Sequence, residues 1–312
     1  MTGALHRSVD RLASWLEDRV PRLPQPYRAA SPVPLDCYDP LPALPEPPDG
    51  PGRWSAPSPR PLSPRDRMAL HVTPARDAAR GTALLVPPWK IGSVELVSGW
   101  VARLVAAGWD VWIVVPPHHL WRAEEGAQSG EGFVTLDLAR LQAVFGQFVL
   151  EIRTAAALAA ARGPAGLVGL SLGGLGAALA ATAGEPLRFV ALVAPPADLV
   201  AVLDHQTAIG RRYRGLAAAA GSPMPENDVL REALASLDPA RRPPPAAPTW
   251  VAGGRFDAIA HPGGAIGLAH AWGIAPALYP RGHLTLLFAC RAVRAGLLRF
   301  LDDAVPGRGH GG

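Results

Sequence analysis

Short apolar runs alternate with longer amphipathic segments over most of the chain after residue 80. Most of the runs lack the alternation of a strand that has one face in water, and they are typical of strands buried on both faces. The intervening segments carry apolar residues at the spacing of one helix face. The pattern predicts strands at 67–73, 82–86, 110–115, 189–193, 249–252 and 275–279, another strand that opens at Ala165, and helices at 94–107, 136–161 and 284–301.

This order of elements is typical of a mostly parallel sheet that helices cover on both faces. In such sheets ligands bind beyond the carboxyl ends of the strands. The sequence therefore predicts an α/β fold whose functional residues lie in the loops that follow the strands.

Two segments precede the regular alternation and together form a predicted N-terminal unit, residues 1–65. Residues 21–65 are rich in proline, which cannot donate to a sheet ladder, and they are predicted to form an extended arm. Residues 6–20 are predicted to form an amphipathic helix packed on the domain or on a neighbouring subunit. A helix on a membrane surface is the alternative, which its mixed charge disfavours. The apolar face of this helix consists of Val9, Leu12, Trp15, Leu16 and Val20.

A second departure from the alternation lies at 197–242, where predicted helical pieces follow one another without a strand. A helical cap above the strand ends is the favoured interpretation, and an excursion at the side of the domain is the alternative. A proline tract at 243–248 marks the return to the main domain. The core is therefore predicted to comprise 66–196 and 243–304, followed by a flexible tail at 305–312.

The composition limits the classes of function. Hydrophobic residues make up 49% and charged residues 18% of the 312 positions, which is enough apolar material for a large core. The net charge of +4 comes from scattered arginines accompanied by 26 acidic residues, so no nucleic-acid surface is indicated. Cys37 and Cys290 lack metal or redox spacing and are interpreted as reduced thiols. With no signal segment or apolar run of membrane-spanning length recognised, a soluble cytoplasmic protein is expected.

The most informative stretch is Gly169-Leu170-Ser171-Leu172-Gly173, at the junction of the strand that opens at Ala165 and an Ala-rich helix. Small residues two positions before and after a serine let the strand and helix approach closely, and the turn pushes the serine hydroxyl outwards. This is the pattern of a nucleophile elbow. An N-cap serine is the plainer interpretation of Ser171.

A serine hydroxyl needs a base, and the base needs an orienting acid. Asp257 follows the predicted strand 249–252, and His283 follows the predicted strand 275–279. The order Ser, Asp, His and the positions at strand ends both fit a catalytic triad. Three rivals remain open, with Asp198 as the alternative acid and His261 or His119 as the alternative base.

From about residue 82 to 301 the chain resembles the α/β-hydrolase superfamily of esterases, lipases and thioesterases. The resemblance implies that Ser171 is the nucleophile, Asp257 the acid and His283 the base. The stretch 117–122, Pro-His-His-Leu-Trp-Arg, together with Ser-Gly-Glu at 129–131, is similar to a poorly characterised branch of small serine hydrolases and fixes no substrate.

The oxyanion hole departs from the pattern of many relatives, which have His-Gly after the strand predicted at 82–86. This chain has Pro87-Pro88-Trp89-Lys90 there, and proline has no N–H to donate. The predicted donors are therefore the amides of Trp89 and Leu172. Lys90, the only lysine, is interpreted either as a solvated surface residue or as a contact for an anionic substrate group.

The loop after the strand 110–115 supplies further candidates, His118, His119 and Arg122. They either hold their own loop by hydrogen bonds or position the substrate, with Arg122 binding a carboxylate or phosphate. The spacing assembles no metal site, and no cofactor is predicted.

The sequence thus predicts a serine hydrolase that cleaves a small-molecule carboxylic ester or thioester. An acyltransferase that uses the same residues is one alternative. A binding or scaffold protein whose Pro87-Pro88 loop has disabled the oxyanion hole is another. The oligomeric state is open, with a homodimer among the alternatives.

Overall fold

The structure, a computed structural model, describes residues 3–18, 25–35, 41–43, 45–47, 50–64 and 66–305. Its eight strands are β1 (Gly52–Pro57), β2 (Arg67–Thr73), β3 (Gly81–Val86), β4 (Trp109–Val115), β5 (Ala165–Leu170), β6 (Val190–Val193), β7 (Thr249–Gly254) and β8 (Ala277–Tyr279). Its α-helices are α1 (Gly3–Asp18), α2 (Ser98–Ala106), α3 (Leu138–Arg162), α4 (Leu172–Ala181), α5 (Leu199–Val202), α6 (Ala208–Ala219), α7 (Asn227–Ala233), α8 (Pro262–Ala271), α9 (His283–Ala289) and α10 (Arg291–Ala304).

The strands form one sheet in the order β1-β2-β4-β3-β5-β6-β7-β8. β2 runs antiparallel to both of its neighbours, and every pair from β4 to β8 is parallel. The predicted α/β fold with a mostly parallel sheet is confirmed. Parallel pairing brings the carboxyl ends of β3, β5, β7 and β8 to one edge, where the candidate site lies.

The core consists of two layers on opposite faces of the sheet. In β3, Leu84 and Val86 join the layer covered by α3, α4 and α8, whereas Ala83 and Leu85 join the layer covered by α2, α9 and α10. Alternate side chains of a strand point to opposite faces, so a strand buried on both sides is apolar throughout. This explains why the central strands read as continuous apolar runs.

The 25-residue helix α3 is long and apolar enough to cross a membrane by length and composition. The expectation that no apolar run approaches that length is therefore wrong at this helix. Within the structure, 78% of its most apolar window is buried. Its apolar length is explained by packing against α4 and the sheet.

Several elements differ from the predictions. The proline-rich arm contains β1, an edge strand whose only proline is its last residue, Pro57. The predicted final helix is two helices, divided where Cys290 adopts an extended backbone. α8 was not predicted because its glycines and alanines leave no polar face to give a helical period.

The two peripheral segments also have defined places. α1 packs against α9 and α6, although Val20 of the predicted helix lies outside the described residues. The stretch 197–242 contains α5, α6, α7 and two short 3-10 turns, without a strand. Cys290 is a buried free thiol, whereas Cys37 and residues 306–312 of the predicted tail lie outside the described residues.

Candidate active site

Ser171 occupies the sharp turn between β5 and α4. Its backbone has φ 52° and ψ −119°, which is rare for a residue with a side chain and typical of a strained functional turn. The turn is fastened on both sides, because the Ser171 amide donates to the Val193 carbonyl at 2.8 Å and the Ser171 carbonyl accepts from the Leu175 amide at 3.1 Å. The surrounding hydrogen bonds thus hold the serine in a conformation that it would not adopt alone.

The glycines on either side of this turn are required by close backbone contacts. A Cβ on Gly169 would lie 2.5 Å from the Gly173 carbonyl oxygen, and a Cβ on Gly173 would lie 2.1 Å from the Val86 carbonyl oxygen. Both distances are far below van der Waals contact. Small residues at these positions allow the first turn of α4 to sit against the end of β3.

Three side chains form a hydrogen-bonded chain at the carboxyl edge of the sheet. His283 Nε2 lies 2.8 Å from Ser171 Oγ, and His283 Nδ1 lies 2.7 Å from Asp257 Oδ2. All three residues are buried, with exposed fractions of 8% or less. With the Nδ1 proton donated to the carboxylate, Nε2 is free to accept the serine proton.

The environment favours the ion pair of His283 and Asp257. Burial by itself raises the pKa of Asp257, but the neighbouring His283 and two backbone amides bring that pKa below its usual value. Burial lowers the pKa of His283, but the charge of Asp257 and its hydrogen bond outweigh burial, so the pKa lies above 6.5. The two amides belong to Ile259 and Ala260, which donate to Asp257 Oδ1 at 2.9 and 2.8 Å and fix the carboxylate.

The rival acid and bases lie in other hydrogen-bonded arrangements. Asp198 accepts from the Ala201 amide at the start of α5. The imidazole of His261 accepts from the Gly263 amide at the start of α8. Both residues therefore serve as helix caps in this structure.

The loop after β3 reaches the serine turn. A Cβ on Gly173 would lie 2.6 Å from the Pro87 carbonyl oxygen, and Trp89 and Leu172 line the same cavity as Ser171. The Trp89 indole donates to the Gly130 carbonyl at 2.9 Å, which anchors the loop. The next amide, that of Lys90, donates to His119 Nε2 at 3.1 Å and is used in that bond.

His119 is a support for this loop. Its Nδ1 lies 2.8 Å from the Pro117 carbonyl, while its Nε2 accepts from Lys90. Burial lowers the pKa of His119 to about 4, so the ring is neutral, as these two bonds require. The structure does not bring His119 to a cavity beside Ser171.

Arg122 and His118 also do not line either of the two cavities beside Ser171. The Arg122 guanidinium makes two hydrogen bonds to the buried Glu151 carboxylate, at 2.6 and 2.9 Å, and a third to the Val115 carbonyl at 2.7 Å. His118 Nδ1 lies 3.8 Å from Glu124 Oε1. The structure places these side chains in contacts within the protein, as the loop-holding interpretation expects.

Two cavities meet at Ser171. The first extends beneath α5 and α6 and has a volume of about 100 Å³. Its lining is almost wholly apolar and includes Val134, Leu141, Phe145, Val202, Met224 and Leu230.

The second cavity lies on the His283 side of the serine and has a volume of about 280 Å³. Lys90 and Arg212 line it, and no acidic side chain among the described residues does. Its apolar walls include Leu96, Leu284, Leu287 and Phe288.

Sequence reasoning missed one buried polar residue at the site, Asp10 of α1, which contacts the backbone of His283. An acidic residue on an amphipathic helix does not indicate in the sequence which backbone it contacts, because this contact joins residues 273 positions apart. Among the described residues, no group of three or more His, Cys, Asp or Glu side chains is arranged to hold a metal ion.

No family model matches this sequence, and no curated protein is similar to it at a significant level. Solved structures are similar in fold. TT1662 from Thermus thermophilus aligns at 20% identity and a TM-score of 0.55, over 77% of this chain and 95% of its own. Est1E from Butyrivibrio proteoclasticus, solved with ferulic acid bound, aligns at 11% identity and a TM-score of 0.54, over 77% and 96%.

A third similar structure is acetyl xylan esterase 1 from a Thermoanaerobacterium species, at 18% identity and a TM-score of 0.53, over 76% of this chain and 79% of its own. These identities are low, so the likeness concerns the fold. The sheet order and the strand-turn-helix at Ser171 agree with it. The chain has the α/β-hydrolase fold.

Proposed function

We propose that this protein is a serine hydrolase that cleaves a carboxylic ester or thioester through an acyl-enzyme on Ser171. The observation that carries the proposal is the buried chain of hydrogen bonds from Ser171 through His283 to Asp257. Low-identity structural neighbours named as esterases are consistent with this reaction class.

In the first half of the reaction, the Ser171 hydroxyl proton passes to His283 Nε2 while Oγ bonds to the substrate carbonyl carbon. The carbonyl electron pair moves to its oxygen, and the amides of Trp89 and Leu172 donate to this oxyanion. The oxyanion then collapses, the bond to the leaving group breaks, and His283 gives its proton to the leaving oxygen or sulfur. Asp257 fixes the tautomer and orientation of the neutral imidazole and stabilises the imidazolium that forms.

In the second half, His283 takes a proton from water and the resulting hydroxide attacks the acyl carbon. Collapse of the second oxyanion breaks the bond to Ser171 Oγ, which recovers its proton from His283. The carboxylic acid leaves, and the free enzyme is restored.

The two cavities suggest how the substrate lies. The first cavity, with its apolar lining, would hold the acyl chain. The second cavity would hold the leaving group, and Lys90 and Arg212 would favour one that carries negative charge. Since α5 and α6 contribute walls to the first cavity, we propose that the segment 197–242 acts as the cap.

The test is hydrolysis of p-nitrophenyl esters by the wild type and by Ser171→Ala. A fall on the order of 10⁴-fold or more in kcat, with an unchanged fold by circular dichroism, is expected. Equal turnover by the two proteins would overturn the proposal.

Product analysis with added alcohols or amines separates hydrolysis from acyl transfer, and hydrolysis predicts the free acid as the main product. A cytoplasmic location and a homodimer stay predictions from the sequence.

A further inference from the structure

Asp10, in the N-terminal helix α1, is fully buried against the loops that carry two residues of the candidate triad. Its Oδ2 accepts from the backbone amide of His283 at 2.7 Å, and its Oδ1 accepts from the amide of Leu284 at 3.1 Å. The same Oδ2 lies 3.2 Å from the amide of Ala258, the residue after Asp257. One carboxylate thus contacts both the start of α9 and the loop that carries Asp257.

The contact to His283 is that of a helix cap supplied by another element. α9 begins at His283, and the residue before it is Gly282, which has no side chain to accept from the first amides of the helix. These amides have no partner within the helix, and a negative charge beside them is favourable. Asp10 supplies the missing acceptor and charge.

Gly282 is matched to this arrangement. A Cβ on Gly282 would lie 2.6 Å from Asp10 Oδ2 and 2.8 Å from the His6 carbonyl oxygen. The close approach of α1 to the start of α9 therefore requires glycine here. His6 adds a second link, because its Nδ1 lies 3.0 Å from the hydroxyl of Thr285 in the first turn of α9.

We propose that Asp10 is a positioning residue for catalysis, which sets the place of the His283 imidazole relative to Asp257 and Ser171 and adds a negative charge behind the base. This inference rests on the proposed function. The helix α1 is then part of the catalytic unit, although the proline-rich segment 21–65 separates it from the core in the sequence. The charge of Asp10 acts on the base in the same direction as that of Asp257, because both raise the pKa of His283 against the effect of burial.

A purely structural role would have a different signature. If Asp10 only fastens α1 to the domain, its loss lowers stability but leaves each folded molecule with the same turnover and the same pH profile. A positioning role lowers kcat per active site with little change in KM. Loss of the charge also moves the acid limb of the pH profile towards lower pH, because it lowers the pKa of His283.

The experiment compares Asp10→Asn with the wild type on p-nitrophenyl butyrate, with active sites counted by a fluorophosphonate. We expect kcat per labelled site to fall by about 10- to 100-fold, as for a misplaced catalytic group, and the acid limb to move to lower pH. Asp110→Asn is the matched control, since the Asp110 carboxylate also accepts from a backbone amide, that of Ala75, but lies at the amino end of β4, at the opposite edge of the sheet from Ser171. Its kcat and acid limb should equal those of the wild type.

Asp10→Glu keeps the charge and provides the second variant if Asp10→Asn does not fold. We expect its acid limb to stay near that of the wild type while kcat falls, because the longer side chain displaces the start of α9. Wild-type kcat and pH profile per labelled site in both variants, or in whichever one folds, would overturn the inference. If the wild type itself neither reacts with the fluorophosphonate nor turns over esters, the proposed function fails instead.

Discussion

The imidazole Nε2 of His283 lies 2.8 Å from the hydroxyl oxygen of Ser171, although the two residues are 112 positions apart in the chain. The parallel sheet produces this contact, because β5 and β8 end at the same edge. Asp257 follows β7, which lies between β6 and β8 in the sheet, and its carboxylate reaches the far side of the same imidazole. The fold thus creates the geometry from three separate strand ends.

The role of Asp257 is tested by Asp257→Asn. The amide cannot hold the imidazole in the tautomer that leaves Nε2 free, so we expect kcat to fall by roughly 10³- to 10⁴-fold with little change in KM. Steady-state kinetics on a p-nitrophenyl ester measures this, and Asp198→Asn is the control. A loss below about tenfold would assign the orienting role to another group.

The pH dependence follows from the raised pKa of His283. The base must be unprotonated, so kcat/KM rises as the pH rises through the pKa of His283 in the free enzyme. We expect the midpoint of this limb above 6.5, since Asp257 stabilises the imidazolium. A midpoint below 6.5, from rates at constant ionic strength, would show that burial outweighs the carboxylate.

The elbow requires glycine at position 173. In Gly173→Ala the new Cβ meets the Val86 carbonyl oxygen at 2.1 Å, and neither backbone can move freely in a packed core. We expect a loss of about 3 kcal/mol or more in the free energy of unfolding, measured with denaturant. Gly215→Ala in α6, where a Cβ meets nothing within 4 Å, should leave stability unchanged or slightly increased.

The apolar cavity predicts a preference for esters with acyl chains longer than acetate. Val134→Phe should fill part of this cavity and lower kcat/KM for the octanoate ester by about tenfold, while the acetate ester is little affected. Leu96→Phe is the comparison, because Leu96 lines only the second cavity. An equal effect of Val134→Phe on both esters would place the acyl chain elsewhere.

The second cavity predicts sensitivity to charge on the leaving group. Lys90→Met and Arg212→Met each remove one cationic side chain from the lining of this cavity. We expect kcat/KM for a carboxylate-bearing phenyl ester to fall by about 3- to 10-fold in each variant, as for the loss of one partly exposed charge pair. The uncharged phenyl ester is the control, and a parallel fall for both esters would indicate a change in the loop rather than in charge recognition.

The sequence predicted the parts of this arrangement that are local. Ser171 lies in a turn that the small residues beside it in the sequence predict. Asp257 and His283 follow apolar runs that are recognisable as buried strands. Asp10 and the partner of Arg122 were not predictable. Asp10 contacts a loop 273 positions away, and the partner of Arg122 is Glu151, an acid in the interior of a long helix. Patterns along the chain do not record which polar residues of different elements meet.

The measurement that tests the account most directly is labelling by a fluorophosphonate, which bonds to an activated serine. The account predicts one label per chain in the wild type, recovered by mass spectrometry on the peptide that contains Ser171. It also predicts loss of the label in Ser171→Ala and much slower labelling in His283→Ala, with Ser55→Ala, in the edge strand β1, reacting like the wild type. Labelling that persists in Ser171→Ala, or a wild-type protein that takes no label, would contradict the account.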